Sequence, residues 1–219
     1  MEQDILLYLG VINMEIHNLF PTPIYTSNIN RKFTEKELIF VKNQKKNTKE
    51  NVGSNIITTN KNILDEIEFK EIKIFLEKSC QDYLDKIICP LNDVKLYITE
   101  SWLNYTEENQ YHHEHTHPNS IISGVLYIDS DKDNDKIKFI VSQNSYSCIH
   151  PDIDKDKFNI WNSSSWWFPV ETGKLIMFRS STIHQVENKK GSNTRISLAF
   201  NTFYKGTLGN SDSSTKLIL

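Results

Sequence analysis

Residues 174–201 read KLIMFRSSTIHQVENKKGSNTRISLAFN, and this stretch decides the fold class. Two runs rich in β-branched and aromatic residues, Lys174–Arg179 and Thr194–Tyr204, enclose a shorter run of the same kind, Ile183–Glu187. The polar residues 188–193 are typical of a turn. The stretch therefore predicts three strands joined by short connections. Four similar runs precede it: Lys95–Tyr105, Ile121–Asp129, Lys136–Ser142 and Ser165–Val170.

Seven strand-like runs with no helical pattern between them predict a mainly β fold, an all-β sandwich or a jelly roll. Helical patterns come before Pro90, which ends the second of them. The first begins at Thr34, which has the T-x-x-E form of a capping box with Glu37. The second spans 62–88, where apolar residues recur at three-to-four spacing. We expect both helices to pack outside the jelly roll, and polar residues 43–55 to form a loop.

The length of 219 residues suits a single domain. We expect residues 1–13 to be either an extension or an over-called start before Met14. We expect 14–92 to be an N-terminal strand with helices, 93–205 the jelly-roll core and 206–219 a tail. No apolar run is long enough for a membrane span. The net charge of −3 gives no basic bias toward duplex nucleic acid. Three cysteines without metal-type spacing fit a reducing compartment, so we expect a cytoplasmic protein, with a homodimer possible.

Five of the seven histidines lie at positions 112, 113, 115, 117 and 184. In an extended segment His113, His115 and His117 share one face, and His112 and Glu114 share the other. Imidazoles at alternate positions of a strand can occupy adjacent positions around one metal ion, such as Fe, Zn, Cu or Ni. The alternative is an exposed polar loop that is rich in histidine.

Arg195 follows His184 by eleven residues and opens an Arg-x-Ser motif with Ser197. An arginine inside a jelly roll is costly unless something pairs with it. No acid lies at a strand spacing that answers it, whereas a dicarboxylate ligand would, with the Ser197 hydroxyl as a second donor. Period two puts Arg195 and Ser197 on one face, and that face could line either the cavity or the solvent.

An ordered set of motifs resembles the Fe(II)/2-oxoglutarate-dependent oxygenases, and more narrowly a group of them common in marine phages and bacteria. The resemblance covers most of the chain and implies a double-stranded β-helix, the jelly roll of this family. If the chain is phage-encoded, it would act in the host cytoplasm. The motifs are Leu19–Tyr25 (LFPTPIY), Trp102–Asn104, His115–Ser120 (HTHPNS), Ser123–Tyr127 (SGVLY), Gly173–Ser180, His184–Val186 and Arg195–Asn201.

The resemblance implies a role for individual residues. His115 matches the first metal ligand, His184 the distal one, and Arg195 with Ser197 the site for the distal carboxylate of 2-oxoglutarate. His117 stands where the wider superfamily has Asp or Glu, so His113 or Glu114 remain alternative ligands. Two further positions match polar groups near the co-substrate or are structural: Asn104 and Tyr127.

The implied activity is that of a dioxygenase, with hydroxylation as the default outcome. It would use Fe(II), 2-oxoglutarate and dioxygen, release succinate and CO2, and act on a small molecule or a protein side chain. Three histidines also suit a cupin-type dioxygenase or isomerase that does not use 2-oxoglutarate, and a non-catalytic jelly-roll binding module is a third interpretation. Residues 144–165 are either a surface loop or a lid, and three tryptophans could stack on a substrate: Trp161, Trp166 and Trp167.

Overall fold

The computed structural model describes residues 15–141 and 151–219 of the protein. The larger sheet contains eight antiparallel strands, in the order β1-β9-β6-β11-β4-β3-β2, with β12 paired to β11. They are β1 (Ile24–Asn28), β2 (Thr48–Glu50), β3 (Ile56–Thr58), β4 (Val94–Thr106), β6 (Ile122–Asp129), β9 (Lys174–Arg179), β11 (Arg195–Leu208) and β12 (Leu217–Ile218).

The smaller sheet has the order β5-β10-β7-β8. Its strands are also antiparallel: β5 (His112–His115), β7 (Lys136–Ile140), β8 (Ser165–Pro169) and β10 (Ile183–Val186). The mainly β class predicted from the sequence is confirmed. No helix in the described ranges is both long enough and apolar enough to cross a membrane.

Helix α1 (Glu35–Gln44) begins at the predicted capping box. The Glu37 amide donates to the Thr34 hydroxyl at 3.3 Å, and the Thr34 amide donates to the Glu37 carboxylate at 2.6 Å. The prediction that 43–55 is a loop is wrong in two places. Helix α1 continues to Gln44, and residues 48–50 form the edge strand β2. Three residues are too few for a period-two pattern to stand out.

The predicted helix 62–88 is divided. Helix α2 (Lys70–Tyr83) is preceded by two 3-10 turns, Ile63–Asp65 and Ile67–Phe69, and is followed by a π-helical turn, Leu84–Ile88. The first residues of the predicted helix do not join α2, because they are bonded to β4: the Leu64 amide donates to the Ser101 hydroxyl at 3.0 Å. The end comes at Cys89, which adopts a left-handed backbone with φ 49° just before Pro90.

The larger sheet is buried on both faces. Phe40 of α1 and Leu76 and Tyr83 of α2 share one hydrophobic cluster with Leu198 and Phe200 of β11. On the opposite face, a second cluster joins the two sheets; it contains Tyr127, Ile137, Phe139, Ile176 and Phe178. The functional side chains lie between the two sheets, at one end of this second cluster.

Strand β11 runs through the middle of the larger sheet. The contacts of its alternating side chains show whether the face that carries Arg195 and Ser197 lines the cavity or the solvent. Leu198 and Phe200 face the helices. Arg195, Ser197 and Ala199 line a cavity between the sheets. The face that carries the guanidinium is therefore the inner face and not the solvent face.

Candidate metal centre

Three imidazoles converge at the mouth of the cavity. His115 and His184 are cross-strand partners on β5 and β10. His117 lies just beyond β5, where its amide donates to the Ser180 carbonyl at 2.9 Å. The ring centroids of His115 and His184 are 4.2 Å apart, and His117 lies 4.9 and 5.1 Å from them. One ligand atom from each ring lies within 4.8 Å of the others, which suits a single metal ion.

Two of the three rings are oriented by the backbone. Nδ1 of His115 donates to the His113 carbonyl at 2.7 Å, and Nδ1 of His184 donates to the Thr182 carbonyl at 3.0 Å. A carbonyl oxygen can only accept, so each Nδ1 carries the proton. Each Nε2 is then left with its lone pair free, as a metal ligand requires.

The three rings are held in the neutral form. Burial lowers the pKa of His184 to about 3 and that of His117 to about 4, and neighbouring imidazoles add to the effect. Burial also lowers the pKa of His115. Neutral imidazole is the metal-binding form, so these side chains are ready to coordinate without releasing a proton.

We expect the metal-free protein to lose stability as the pH falls from about 7 to about 4. An unfolded histidine takes up a proton near pH 6.5, whereas the folded His117 and His184 stay neutral until about pH 4 and 3. The unfolded state therefore binds more protons in this window, and the free energy of unfolding must decrease as the solution is acidified. Denaturant titrations of the metal-free protein at pH 7.5, 6, 5 and 4.5 would measure it.

Exposed His17 provides a matched control, since its side chain is 76% accessible. His17→Gln should reproduce the wild-type pH profile, and His184→Asn should give a shallower one. A stability that does not change between pH 7.5 and 4.5 would contradict the expectation.

A fourth imidazole lines the same cavity, contrary to the predicted alternation. His112 was expected on the opposite face from His115, but the two rings stack with centroids 4.4 Å apart. The reason is a bulge: His115 pairs with His184 and His112 pairs with Val186, so the register shifts by one residue. Nε2 of His112 lies 3.3 Å from Nδ2 of Asn51, and because this NH2 group can only donate, Nε2 accepts.

The bulge creates a second group of possible ligands: His112, His113 and His115. This group overlaps the first at His115. Glu114, an alternative ligand in the sequence analysis, is exposed and does not line the cavity. His113 does not line the cavity either, and its buried Nδ1 has no hydrogen-bond partner among the described residues.

The cavity lies between the larger and the smaller sheet. Its floor is formed by two cross-strand rows of the larger sheet. The polar row is Asn104, Ser197 and Tyr127, and the apolar row is Trp102, Ala199 and Val125. The Trp102 ring lies 6.1 Å from that of His117, so the apolar row is at the metal end.

Arg195 lies toward the other end, paired across the sheet with Thr106. An acid does pair with Arg195, although it does not lie at a strand spacing. Nη1 of Arg195 donates to Oδ1 of Asp135 at 3.2 Å, with the two side chains only 5% and 1% exposed. Strand spacing could not reveal Asp135 because it ends the 131–135 turn before β7. There the Asp131 amide donates to Oδ2 of Asp135 at 2.9 Å and fixes the carboxylate.

The polar row presents unused hydrogen-bonding groups. Neither the Ser197 hydroxyl nor the Tyr127 hydroxyl bonds to another residue in the described ranges, and the buried Oδ1 of Asn104 is likewise without a partner. Burial raises the pKa of Tyr127, so its hydroxyl stays a donor. Groups of this kind next to a guanidinium suit a polar ligand that spans the cavity.

Residues 144–165, either a surface loop or a lid by their sequence, fall partly outside the described residues, since 144–150 are not described. The three tryptophans are not among the cavity-lining residues. Trp161 is exposed and donates to Asn18 at 2.9 Å. Trp167 packs under Lys136 and Lys138, at 5.4 and 4.8 Å from their ammonium groups.

Comparisons with known proteins agree with this architecture. Residues 100–201 match the sequence family described as "Putative 2OG-Fe(II) oxygenase". This part of the chain is a 2OG-Fe(II) oxygenase domain. The resemblance to the Fe(II)/2-oxoglutarate-dependent oxygenases is thereby confirmed, and so are the cofactor Fe(II) and the co-substrate 2-oxoglutarate (2OG). No curated protein matches the sequence.

Three solved structures are similar to this protein in fold. A prolyl hydroxylase from Trichoplax adhaerens, in complex with a peptide fragment of hypoxia inducible factor, has a TM-score of 0.55 at 15% identity over 82% of this chain and 83% of its own. HygX from Streptomyces hygroscopicus with nickel and 2-oxoglutarate bound has a TM-score of 0.52 at 10% identity over 83% and 82%. SnoN, an α-ketoglutarate-dependent epimerase from nogalamycin biosynthesis, has a TM-score of 0.54 at 9% identity over 84% and 78%. At these identities the likeness concerns the fold.

The side chains present fit Fe(II). Three neutral imidazoles with backbone-oriented Nδ1 groups are an appropriate donor set, since imidazole suits iron among other first-row metals. The same cavity holds a guanidinium and three free polar groups, which fits a dicarboxylate.

Proposed function

We propose that the protein is a 2OG-dependent hydroxylase in which His115, His117 and His184 hold Fe(II). Arg195 and Ser197 bind the distal carboxylate of 2OG. The observation that carries the proposal is the convergence of three neutral imidazoles, with ligand atoms within 4.8 Å of one another, at the mouth of a cavity that also contains a buried guanidinium.

The polar row positions the co-substrate. The Ser197 hydroxyl lies two residues along β11 from Arg195 and supplies a second donor to the carboxylate. Tyr127 and Asn104 flank Ser197 on the adjoining strands and orient the remainder of the molecule. All three groups are within the buried floor and lack competing partners among the described residues.

Bound Fe(II), with 2OG and dioxygen, supplies oxidative decarboxylation to succinate and CO2 coupled to hydroxylation of the substrate. The protein contributes position and shielding. Trp102, Val125 and Ala199 form an apolar floor at the metal end. The substrate class stays that of a small molecule or a protein side chain, and duplex nucleic acid is not expected at net charge −3.

The test is an anaerobic titration of the metal-free protein, first with Fe(II) and then with 2OG. We expect a visible charge-transfer band that saturates at one equivalent of each, because a 2-oxo acid chelating Fe(II) absorbs in the visible range. Succinate in place of 2OG, or Zn(II) in place of Fe(II), should give no band. Absence of the band with Fe(II) and 2OG would overturn the proposal.

A three-histidine dioxygenase that does not use 2OG is the second candidate. It is favoured by one observation, the absence of a carboxylate from the described metal-ligand group. Oxygen consumption by the Fe(II)-loaded protein without any oxoacid, in the absence of the band, would support this candidate. Purification without a histidine tag would keep the metal analysis unambiguous.

A further inference from the structure

Asp135 is the buried acid that the proposed site does not otherwise use. Its side chain is 1% exposed and bonds Nη1 of Arg195 at 3.2 Å. It is anchored independently of Arg195, since its own amide donates to the Asp131 carbonyl at 2.7 Å and its Oδ2 accepts the Asp131 amide. The carboxylate is thus held beside the guanidinium by hydrogen bonds that do not involve Arg195.

The charges of the loaded cavity balance only when Asp135 is counted. Three neutral imidazoles add no charge, so the two positive charges of Fe(II) cancel the two negative charges of 2OG. Arg195 would leave one positive charge over, and Asp135 cancels it. In a site with a metal-bound carboxylate at position 117, that carboxylate would cancel the charge of an arginine that had no acid beside it. Three further charges lie just outside the cavity lining. Lys61 is near the metal end, with its ammonium group 4.4 Å from the Trp102 ring, and Asp129 and Lys189 are near Asp135.

We infer that Asp135 is a positioning residue that acts through Arg195. Because His117 stands in place of a carboxylate, the metal ligands carry no negative charge, and Asp135 supplies that charge beside Arg195. Asp135 thereby sets the affinity for the distal carboxylate of 2OG. The inference rests on the proposed function, because it assumes that Arg195 binds this carboxylate. With Asp135 the loaded cavity is electroneutral, and its acid lies beside the distal carboxylate of 2OG and not at the metal.

The test is calorimetric binding of 2OG to the Ni(II)-saturated full-length protein, with 2-oxovalerate as the comparison ligand. The two ligands share the metal-chelating end, but 2-oxovalerate has a methyl group where 2OG has its distal carboxylate. Asp135→Asn leaves a net positive charge at that end, so 2OG should bind about tenfold more tightly and 2-oxovalerate should be unchanged. A merely structural Asp135 would instead weaken both ligands together.

The second variant, His117→Asp, restores a carboxylate at the metal and leaves Asp135 untouched. With Asp135 present the cavity then carries one negative charge too many, and 2OG should bind about tenfold more weakly. The double variant, His117→Asp with Asp135→Asn, should return to near the wild-type affinity. If Asp135→Asn does not fold by circular dichroism, Asp135→Ala removes the same charge and carries the same expectation for both ligands.

The outcomes separate this inference from the proposed function. If the Ni(II)-loaded wild type binds no 2OG, the proposed function fails. If the wild type binds 2OG but its affinity is unchanged or lower in Asp135→Asn, or unchanged in His117→Asp, only the role of Asp135 is overturned.

Discussion

Replacing His184 by Ala is expected to abolish Fe(II) binding at micromolar metal, a loss of at least about hundredfold in affinity. His184 is the ligand that comes from outside the 112–117 run, and its ring lies 4.2 Å from His115 and 5.1 Å from His117. Without it two imidazoles remain, and the cavity loses the ring that the Thr182 carbonyl orients. Competition with a chromogenic chelator measures the affinity directly.

His113→Ala is the matched control, because it removes an imidazole from the same run of histidines. The His113 backbone carbonyl, which orients His115, stays in place. We expect this variant to bind Fe(II) within about threefold of the wild type. The opposite pattern, in which His113→Ala loses the metal and His184→Ala keeps it, would move the site to the second group, His112, His113 and His115.

The two competing groups are distinguished by which nitrogen is free. His115 has committed Nδ1 to the His113 carbonyl, so it has one ligand atom, Nε2, to offer. His112 uses Nε2 to accept from the Asn51 amide. His184 has the same arrangement as His115, with Nε2 open. The hydrogen bonds therefore favour the group that combines β5 with β10.

The long strands could be predicted from sequence because their signal is long and repeated. Strand β9 has the predicted bounds, and β4 differs from its prediction by one residue at each end. The orientation of β11 could not be predicted, since both of its faces are buried and alternation does not say which one meets the helices. Only the tertiary contacts of Leu198 and Phe200 decide that.

The candidate site shows the same limit at the level of single residues. The three imidazoles and Arg195 lie in segments whose order along the chain resembles a known family, so they could be named in advance. His112 and Asp135 could not. A bulge opposite Val186 rotates His112 into the cavity, and a turn rather than a neighbouring strand brings Asp135 to Arg195. Neither the bulge nor the turn produces a periodic pattern or a characteristic spacing that could be recognised in the sequence.

Arg195→Ala is expected to weaken 2OG binding by about hundredfold, measured by calorimetry on the Ni(II)-loaded protein. A charge-assisted hydrogen bond contributes roughly 1.5–3 kcal/mol, and the guanidinium offers the distal carboxylate more than one. The loss should spare 2-oxovalerate, which has no distal carboxylate. Arg179→Ala, which removes an exposed arginine from β9, should leave both affinities unchanged.

The same substitution should destabilise the metal-free protein by roughly 3 kcal/mol, because it leaves the buried Asp135 carboxylate without its cation. The double variant Arg195→Ala with Asp135→Asn separates the two effects. It should recover much of the stability in denaturant titrations, since no unpaired charge remains buried, yet it should stay deficient in 2OG binding. Recovery of 2OG binding in the double variant would mean that Arg195 acts by neutralising Asp135 and not by holding the co-substrate.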